Sequence, residues 1–241
     1  MADGFAYCET LLREDDKERY LATLFAPADR RQALFSLYAF DLETASVAAR
    51  VHEPLAGEIR LQWWQDALAG NIADQAAGHP VAAAFLDTMR RFDLPRDTIA
   101  ALIEARRLRL YDGESSDLAA LNEFAKQTTG AVLALACHIL NGTGNRSAEH
   151  LSEAAALAVL ADAELLAETP SELRKAARES LHRVRALMDK VPERVLPAFL
   201  SLALVNARLS RIERGFSPDL PQWRRQWILW RASKNPARWL A

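Results

Sequence analysis

The chain has 241 residues, of which 50% are hydrophobic and 26% charged, so it can bury a sizeable core and is neither a disordered nor a fibrous protein. Its formal net charge of -2 offers no general attraction to nucleic acid, so contact with a polyanion or a membrane requires a local basic patch. Glycine (9) and proline (10) are both scarce and alanine is abundant, which favours an all-α fold over a turn-rich sandwich or barrel.

The start of the chain carries acidic and aromatic side chains and no apolar run, so no targeting signal is expected. We therefore expect a cytoplasmic location. Cys8 and Cys137 are far apart and belong to no Cys-x-x-Cys motif, a pattern typical of free thiols in a reducing compartment. The longest apolar stretches, residues 131–137 and 154–161, are far shorter than the roughly 18 residues that span a bilayer. The sequence therefore predicts no transmembrane helix.

Prolines divide the chain at helix-length intervals, because each lacks a backbone donor and so begins or ends a helix. They are Pro27, Pro54, Pro80, Pro95, Pro170, Pro192 and Pro218, and they predict about ten helices. Apolar residues three to five apart over residues 30–51 and 55–68 indicate amphipathic or buried helices. Glycine and asparagine in residues 141–145 predict a turn that ends a helix.

No segment alternates like a β-strand, and no internal repeat, low-complexity tract or linker divides the chain. We therefore expect one domain over residues 1–241, with a polar loop at residues 113–117. The 5 histidines include no pair at the four-residue spacing that places two metal ligands on one helix face, and neither cysteine adds a third donor. Neither a metal site of this type nor a glycine-rich phosphate loop is predicted.

Three segments carry a resemblance to a known family. They read Arg-Tyr-Leu-Ala-Thr-Leu-Phe-Ala-Pro over residues 19–27, Arg-Arg-Gln-Ala-Leu-Phe-Ser-Leu-Tyr-Ala-Phe over 30–40, and Glu-Ile-Arg-Leu-Gln-Trp-Trp-Gln-Asp-Ala-Leu over 58–68. They resemble the squalene/phytoene synthase family, and weaker similarity continues through residues 124–142 and 196–206. The resemblance implies an all-helical bundle of the isoprenoid synthase type around a central cavity.

Active members of the family join two prenyl diphosphates head to head, and two acidic motifs hold the Mg²⁺ ions that stabilise the leaving diphosphate. The first motif, Asp-x-x-x-Asp, follows a Tyr-Ala-Phe-like segment on the cavity wall. Here residues 38–40 are followed by Ala45 and Ala49 at the positions of the two aspartates. Asp41 and Glu43 remain, but a spacing of two turns their side chains about 200° apart on a helix, so they do not replace the motif.

The second acidic motif is expected on the helix after the turn at residues 141–145, before a Gly-Arg-x-Tyr-Leu-Pro-like loop, and neither is recognisable. Asp162 and Glu164 are the nearest acids, again two apart. The chain then runs through residues 168–172 into the next helix, so it has a deletion here or a mobile loop is absent from it. Magnesium-dependent ionisation is therefore not expected, and Mg²⁺ is implied only if the protein is an enzyme.

A more specific resemblance concerns the run Ala-Phe-Asp-Leu-Glu-Thr-Ala-Ser-Val over residues 39–47 and Ile-Arg-Leu-Gln-Trp-Trp over 59–64. Both are similar to the non-catalytic branch of complex I assembly factors and their alphaproteobacterial relatives, and Glu43 matches a glutamate of that branch. The resemblance implies an assembly factor whose partner is a respiratory complex I subunit or assembly intermediate. The alternatives are a prenyltransferase that uses Asp41, Glu43 or other acids, and an isoprenoid- or lipid-binding protein that retains the apolar cavity.

The resemblance makes five side chains candidates for the cavity wall: Tyr38, Asp41, Glu43, Arg60 and Trp63. Glu43 is either a partner of Arg60 in the cavity or a surface carboxylate. Trp63 and its neighbour in the sequence are interpreted as one core residue and one partly exposed packing residue.

A cluster of three basic residues, Arg106, Arg107 and Arg109, lies in a predicted helix. Three cations at this spacing could face a polyanion. A solvated helix face is the favoured interpretation, because long basic side chains usually extend their charge into water.

The end of the chain has an unusual local composition, since residues 220–241 hold four of the six tryptophans, five basic residues and no acid. Tryptophan with arginine on an amphipathic helix suits a bilayer interface with anionic lipid. The candidates for membrane contact are Trp223, Arg224, Arg225, Trp227, Trp230 and Arg231. A cytoplasmic protein peripheral to the inner membrane is one interpretation, and a closing helix whose tryptophans dock on the core is the other.

Overall fold

The computed structural model describes residues 3–51, 53–111, 117–142, 146–164 and 171–235. These residues form α-helices with short connections, and no strand occurs within the described ranges. The predicted all-α class is confirmed.

In the first half of the chain the helices are α1 (Gly4–Asp15), α2 (Lys17–Thr23), α3 (Ala28–Ala45), α4 (Val47–Arg50), α5 (Pro54–Ala69), α6 (Ala73–Gly78), α7 (Pro80–Phe92) and α8 (Arg96–Arg109). In the second half they are α9 (Leu118–Ala125), α10 (Ala131–Asn141), α11 (Arg146–Glu164), α12 (Ser171–Met188), α13 (Leu196–Phe199), α14 (Leu202–Glu213) and α15 (Gln222–Lys234). A π-helical turn at Lys126–Gly130 joins α9 to α10, and a 3₁₀ turn at Glu193–Val195 precedes α13. The helices exceed the predicted ten because four of those described, α2, α4, α6 and α13, have seven residues or fewer.

Four of the prolines begin helices as predicted, whereas Pro218 lies in the connection between α14 and α15 and begins or ends neither. Pro54 and Pro80 are the first residues of α5 and α7, and Pro27 and Pro95 immediately precede α3 and α8. The first helical residue has no intrahelical acceptor for its N–H, so a proline there removes no hydrogen bond. Gly142, with φ of 81°, ends α10 in the predicted turn.

The polar loop predicted at residues 113–117 lies outside the described residues except for its last member. Asp117 accepts a hydrogen bond from the Ala119 N–H at 3.0 Å and so caps the start of α9.

Helix α3 is central to the first half of the molecule. Its residues from Ala33 to Asp41 are all buried, and the helix packs against α1, α7 and α10. Phe40 stacks on Phe85 of α7 with ring centroids 4.3 Å apart, and it meets the edge of Trp64 of α5 at 5.2 Å. This helical segment is buried on all sides and carries Asp41 into the interior, where the carboxylate requires partners.

Helix α11 organises the second half, where it packs against α10, α12 and α14. A Cβ atom added to Gly130 in the π-helical turn would lie 3.3 Å from the Cβ of Ala156 in α11. The absent side chain at Gly130 therefore permits the close approach of the π-helical turn to α11.

Helix α15 joins the rest of the molecule through its own small cluster of apolar residues. Ile228, Leu229 and Ala232 pack there with residues of α2 and α14 such as Ala22 and Leu204. The larger core has members from α1 to α14. A single domain over residues 1–241 stays a prediction.

Within the described part of the chain, no single helix has the length and the apolar composition needed to span a bilayer. Two helical segments, Glu193–Phe199 and Leu202–Glu213, reach that length and composition only when they are counted together across their 45° bend.

Candidate functional site

A cavity of about 590 Å³ lies among helices α2, α3, α8, α10, α11 and α13. Much of its wall is apolar and includes Leu42, Val47, Leu61, Val132, Leu133 and Leu160. The central cavity that the family resemblance implies is therefore present.

One wall of the cavity carries a buried ion network centred on Asp41. Arg106 of α8 and Arg19 of α2 each direct a guanidinium nitrogen to a different carboxylate oxygen of Asp41. Arg106 also donates to the Thr44 hydroxyl, and Arg19 also binds Asp16. The side chains of Arg106 and Asp41 are only 9% and 12% exposed, respectively. Two carboxylates and two guanidiniums thus tie α2, α3 and α8 together and neutralise one another.

The two guanidiniums determine the ionisation of Asp41. Burial alone would raise its pKa, but the charges and hydrogen bonds of Arg106 and Arg19 lower the pKa of Asp41 below its usual value. Burial likewise opposes the charge on Arg19, and Asp16 and Asp41 outweigh it and raise the pKa of Arg19. Asp41 is therefore a charged carboxylate that arginines already occupy.

Glu18 is a further acid on the cavity wall, and it too is paired with arginine. Arg208 of α14 binds its Oε1 atom, and the Arg225 guanidinium of α15 lies 3.5 Å from the same oxygen. This carboxylate fastens α14 and α15 to α2.

The positions of the first acidic motif offer no carboxylate to the cavity. Ala45 lines the cavity, and Ala49 is exposed on α4. The acids that the described wall does contain, Asp16, Glu18 and Asp41, are each paired with arginine. No group of three or more His, Cys, Asp or Glu side chains suited to a metal ion occurs among the residues described. Those residues do not fit a cluster of Mg²⁺ with diphosphate, which requires several free oxygen ligands.

The segment expected to carry the second acidic motif is described only in part. Helix α11 continues to Glu164, but the side chains of residues 162–164 and the whole of residues 165–170 lie outside the described residues. The predictions for Asp162, Glu164 and Pro170 fall on these positions and stay predictions.

Two of the five side chains predicted for the cavity lie on its wall, Tyr38 and Asp41. The guanidinium of Arg19 lies 5.2 Å from the centroid of the Tyr38 ring, so the same arginine contacts both side chains. Burial raises the pKa of Tyr38 above its usual value, and its hydroxyl therefore stays protonated at neutral pH.

Glu43, Arg60 and Trp63 are not part of the cavity wall. Glu43 faces α7, where its Oε2 lies 3.5 Å from His79 Nε2, while Arg60 is exposed on α5. Of the two alternatives for Glu43, the pairing with Arg60 in the cavity is wrong, because two helical positions rotate Glu43 about 200° away from the direction of Asp41. The surface carboxylate is wrong as well, since the Glu43 side chain is only 22% exposed.

His79 stands at the centre of the cluster that contains Glu43. Its Nδ1 accepts a hydrogen bond from the Ala82 N–H at 3.3 Å and caps α7, which leaves Nε2 directed to Glu43. The rings of Trp63 and Trp64 lie 5.0 and 5.5 Å from the imidazole ring. Burial raises the pKa of Glu43 to about 7 and lowers the pKa of His79. As predicted, one tryptophan, Trp64, is a core residue and Trp63 is partly exposed.

The interpretation of the three basic residues as a solvated helix face is wrong for Arg106. It lies on the buried face of α8 together with Ile99 and Leu102, and its charge meets Asp41. Its spacing of seven from Ile99 places Arg106 on the apolar side of the helix and was a sequence signal for this position. Arg107 pairs with Glu104 and Glu58 and is partly exposed, whereas Arg109 contributes to the cavity wall.

Three tryptophans of α15 are turned towards solvent. Trp223, Trp227 and Trp230 are 68%, 44% and 53% exposed, whereas Ile228 and Leu229 on the opposite side are buried. Docking on the core is therefore wrong for these three tryptophans, although α15 itself docks there through Ile228 and Leu229. Trp239 lies outside the described residues.

The three arginines predicted for membrane contact differ in their surroundings. Arg225 faces the protein, because it pairs with Glu18 and its Nε donates to the Leu220 carbonyl at 2.7 Å. The Arg231 guanidinium lies 4.8 Å from the centroid of the Trp227 ring, and Arg224 is half-buried.

We compared the chain with known proteins to test the resemblance to the squalene/phytoene synthase family and to its branch of complex I assembly factors. A profile of the squalene/phytoene synthase family matches residues 12–161. The chain is 32% identical over 144 residues to NADH dehydrogenase (ubiquinone) complex I, assembly factor 6, of Bos taurus, with 60% of this chain and 43% of that protein covered. It is 25% identical over 256 aligned positions to the homolog of Drosophila melanogaster, with 88% and 76% covered. The chain thus spans less than half the length of the bovine relative.

The fold is similar to the crystal structure of a dehydrosqualene synthase in complex with ligand. The TM-score is 0.69 at 16% sequence identity, and the match covers 98% of this chain and 97% of the other. At that identity the similarity concerns the fold alone. It confirms the predicted isoprenoid synthase-type bundle.

Proposed function

Since the chain belongs to the squalene/phytoene synthase family, we propose that it is a non-catalytic member that acts as an assembly factor for respiratory complex I at the membrane surface. The names of the bovine and fly relatives support this role, as each is called a complex I assembly factor 6 or its homolog. Its partner is a complex I subunit or an assembly intermediate, and it works without a metal or cofactor on the cytoplasmic side of the inner membrane.

The occupation of Asp41 by Arg19 and Arg106 is the observation that carries the non-catalytic part of the proposal. Ionisation of a prenyl diphosphate places negative charge on the leaving group, and bound metal ions normally stabilise that charge. Here alanines stand at the two positions of the first acidic motif, and the carboxylate before them is held in ion pairs. The described wall therefore has no free carboxylates with which to hold such ions.

A direct assay tests this part. The purified protein, incubated with Mg²⁺ and farnesyl or geranylgeranyl diphosphate, should release no more pyrophosphate than a protein-free control. An active phytoene synthase, assayed in parallel, verifies that the conditions support the reaction. Magnesium-dependent release that rises with the concentration of this protein would overturn the non-catalytic assignment.

A deletion strain tests the cellular role. Loss of the protein should lower the amount of assembled NADH:quinone oxidoreductase on native gels and the NADH oxidation of isolated membranes. Squalene, carotenoid and hopanoid levels should stay unchanged, because a factor and not a synthase has been removed. Expression of the wild-type chain in the same strain should restore the complex.

One observation favours a second candidate function, the binding of an isoprenoid or another lipid. The cavity of about 590 Å³ keeps a largely apolar wall although the acidic motif is gone. If the protein is a prenyltransferase or a lipid-binding protein, the deletion strain should show the opposite outcome. The lipid profile would change and the respiratory complex would stay intact, and that result would reject the assembly role.

A further inference from the structure

The two faces of helix α15 differ sharply. The inner face packs on α2 and α14 through Ile228, Leu229 and Ala232, all of which are buried. The outer face carries three indole rings, of Trp223, Trp227 and Trp230, that are 68%, 44% and 53% exposed. Large apolar side chains that stay exposed together on one face usually mark a contact surface.

The exposed side chains follow the geometry of the helix. At about 100° per residue, Trp223, Trp227 and Trp230 lie within about 60° of one another, and Lys234 continues the same line at the end of the helix. Arg224 and Arg231 both lie along one edge of this strip, about 80–100° from Trp223. The outer face is therefore a ridge of indoles with cations along one side and at one end.

The charge of the helix is all of one sign. Residues 222–234 contain Arg224, Arg225, Arg231 and Lys234 and no acid. Arg225 is turned to Glu18, which leaves the other three beside the tryptophans. The surface that is complementary to this ridge is therefore negatively charged at its polar layer and apolar beneath it.

We propose that this ridge binds the headgroup region of an anionic lipid bilayer, with the axis of α15 parallel to the membrane. An indole combines a large apolar ring with one N–H donor and suits the boundary between headgroups and acyl chains. The flanking cations meet lipid phosphates at the same depth. A convex row of three rings fits a deformable lipid layer without the matching pockets that a protein partner would need. This lipid-binding surface deepens the proposed function. It depends on that function only for the identity of the membrane.

The docking of α15 makes this surface rigid. Ile228 and Leu229 hold the inner face, and the Arg225 contacts with Glu18 and the Leu220 carbonyl fix the start of the helix. The ridge therefore does not have to fold on binding, and exchange of its exposed residues should leave the fold unchanged.

Vesicle co-sedimentation of the full chain tests the proposal. We expect binding to vesicles of phosphatidylcholine with 30% phosphatidylglycerol, weak binding to pure phosphatidylcholine, and release as NaCl rises, since salt screens exposed charges. The variant Arg224→Gln with Arg231→Gln should lower the partition coefficient on anionic vesicles about tenfold or more. The variant Trp223→Gln, Trp227→Gln and Trp230→Gln should lower it at least as much.

A matched variant controls for the loss of charge. Arg183→Gln with Arg185→Gln removes two exposed arginines from α12 and should leave vesicle binding within about twofold of wild type. Thermal unfolding of each variant verifies its fold. Quenching of tryptophan fluorescence by brominated lipid reports contact directly and should fall in the triple tryptophan variant, which retains Trp63, Trp64 and Trp239.

Three results would overturn the proposal. The first is equal binding to neutral and anionic vesicles, and the second is unchanged binding of the triple tryptophan variant. The third is no binding of the wild-type chain, which would assign the ridge to a protein partner. The deletion strain separates this outcome from the cellular role. Lower complex I in that strain without vesicle binding rejects the lipid surface alone, and vesicle binding with normal complex I rejects the assembly role alone.

Discussion

Arg106 and Asp41, 65 residues apart in the sequence, form a buried ion pair on the wall of the central cavity. Arg19 joins the pair from α2, so one carboxylate connects three helices. Asp41 lies one helical turn before Ala45, the first position at which the family resemblance implies a metal-binding aspartate. The same network thus stabilises the cavity wall and withdraws its carboxylate from metal binding.

Replacement of Asp41 by alanine should destabilise the protein by about 3–5 kcal/mol, because the buried guanidinium of Arg106 would lose its counter-charge. Urea unfolding measures the change. Asp87→Ala is the control, since its partner Arg90 is 72% exposed, and it should cost less than about 1 kcal/mol. Equal losses in the two variants would contradict the structural role of Asp41.

The pH dependence of the same variant has a defined sign. Because the folded pKa of Asp41 is lowered, its stabilising contribution is present above the usual pKa of aspartate and is lost as the pH falls through the folded value. The wild type should therefore lose more stability towards acid pH than Asp41→Ala does. Parallel unfolding curves from pH 6 to pH 3 would contradict the ion pairs.

Glu43 should destabilise the protein as it ionises. Burial raises the pKa of Glu43 in the folded protein from 4.5 to about 7. Between these two pH values the native state binds more protons than the unfolded state, so the free energy of unfolding falls as the pH rises. Glu43→Gln removes this loss and should gain about 2–3 kcal/mol relative to wild type between pH 4.5 and pH 8.

Chemical denaturation at several pH values measures this difference. His79, whose pKa is lowered by burial, titrates with the opposite sign and lies 3.5 Å from Glu43. Glu172→Gln, at a side chain 70% exposed, should stay within about 0.5 kcal/mol of wild type throughout. A pH-independent difference between wild type and Glu43→Gln would reject the buried carboxylic acid.

The start of α1 lies too close to α7 for a side chain at Gly4. A Cβ atom there would lie 2.6 Å from the Pro80 carbonyl oxygen, so Gly4→Ala must displace a helix and should cost about 1–3 kcal/mol. At Gly78 in α6 a Cβ would meet nothing within 4 Å, and Gly78→Ala should be neutral or stabilising by up to about 1 kcal/mol. Thermal unfolding compares the two, and a stable Gly4→Ala would contradict the close packing.

Both cysteines should be unreactive in the folded protein. Burial raises the pKa of Cys8 and of Cys137 to about 12, so almost no thiolate is present at pH 8. Reaction with Ellman's reagent should be slow in buffer and should reach two thiols per chain in guanidinium chloride. Rapid reaction of either thiol under native conditions would show that its helix opens.

Local sequence was sufficient for much of the architecture. Prolines and a glycine turn predicted where helices begin and end, because backbone donors and φ angles depend on the residue itself. The alanines at positions 45 and 49 showed directly that the first acidic motif is absent. The composition of residues 220–241 left two interpretations open, a membrane-facing surface or tryptophans docked on the core, and the structure exposes three of these tryptophans.

Tertiary packing decided the partners of the charged residues. Nothing local connects Asp41 to Arg19 or Arg106, since each lies on a different helix and meets the others only when these helices pack. Glu43 likewise lies beside His79 and not beside Arg60, because the partner of the Glu43 side chain depends on which helix covers that side of α3.

The physical reason is the difference in range between the two kinds of interaction. Helix propensity, capping and apolar periodicity act within a few residues, so a linear pattern records them. The partner of a buried charge is chosen by the distance and orientation of whole helices, and a buried carboxylate pairs with whichever cation packing brings within reach. The sequence by itself therefore determined the helical fold and the lost motif, and only the tertiary structure decided that arginines hold the remaining carboxylate.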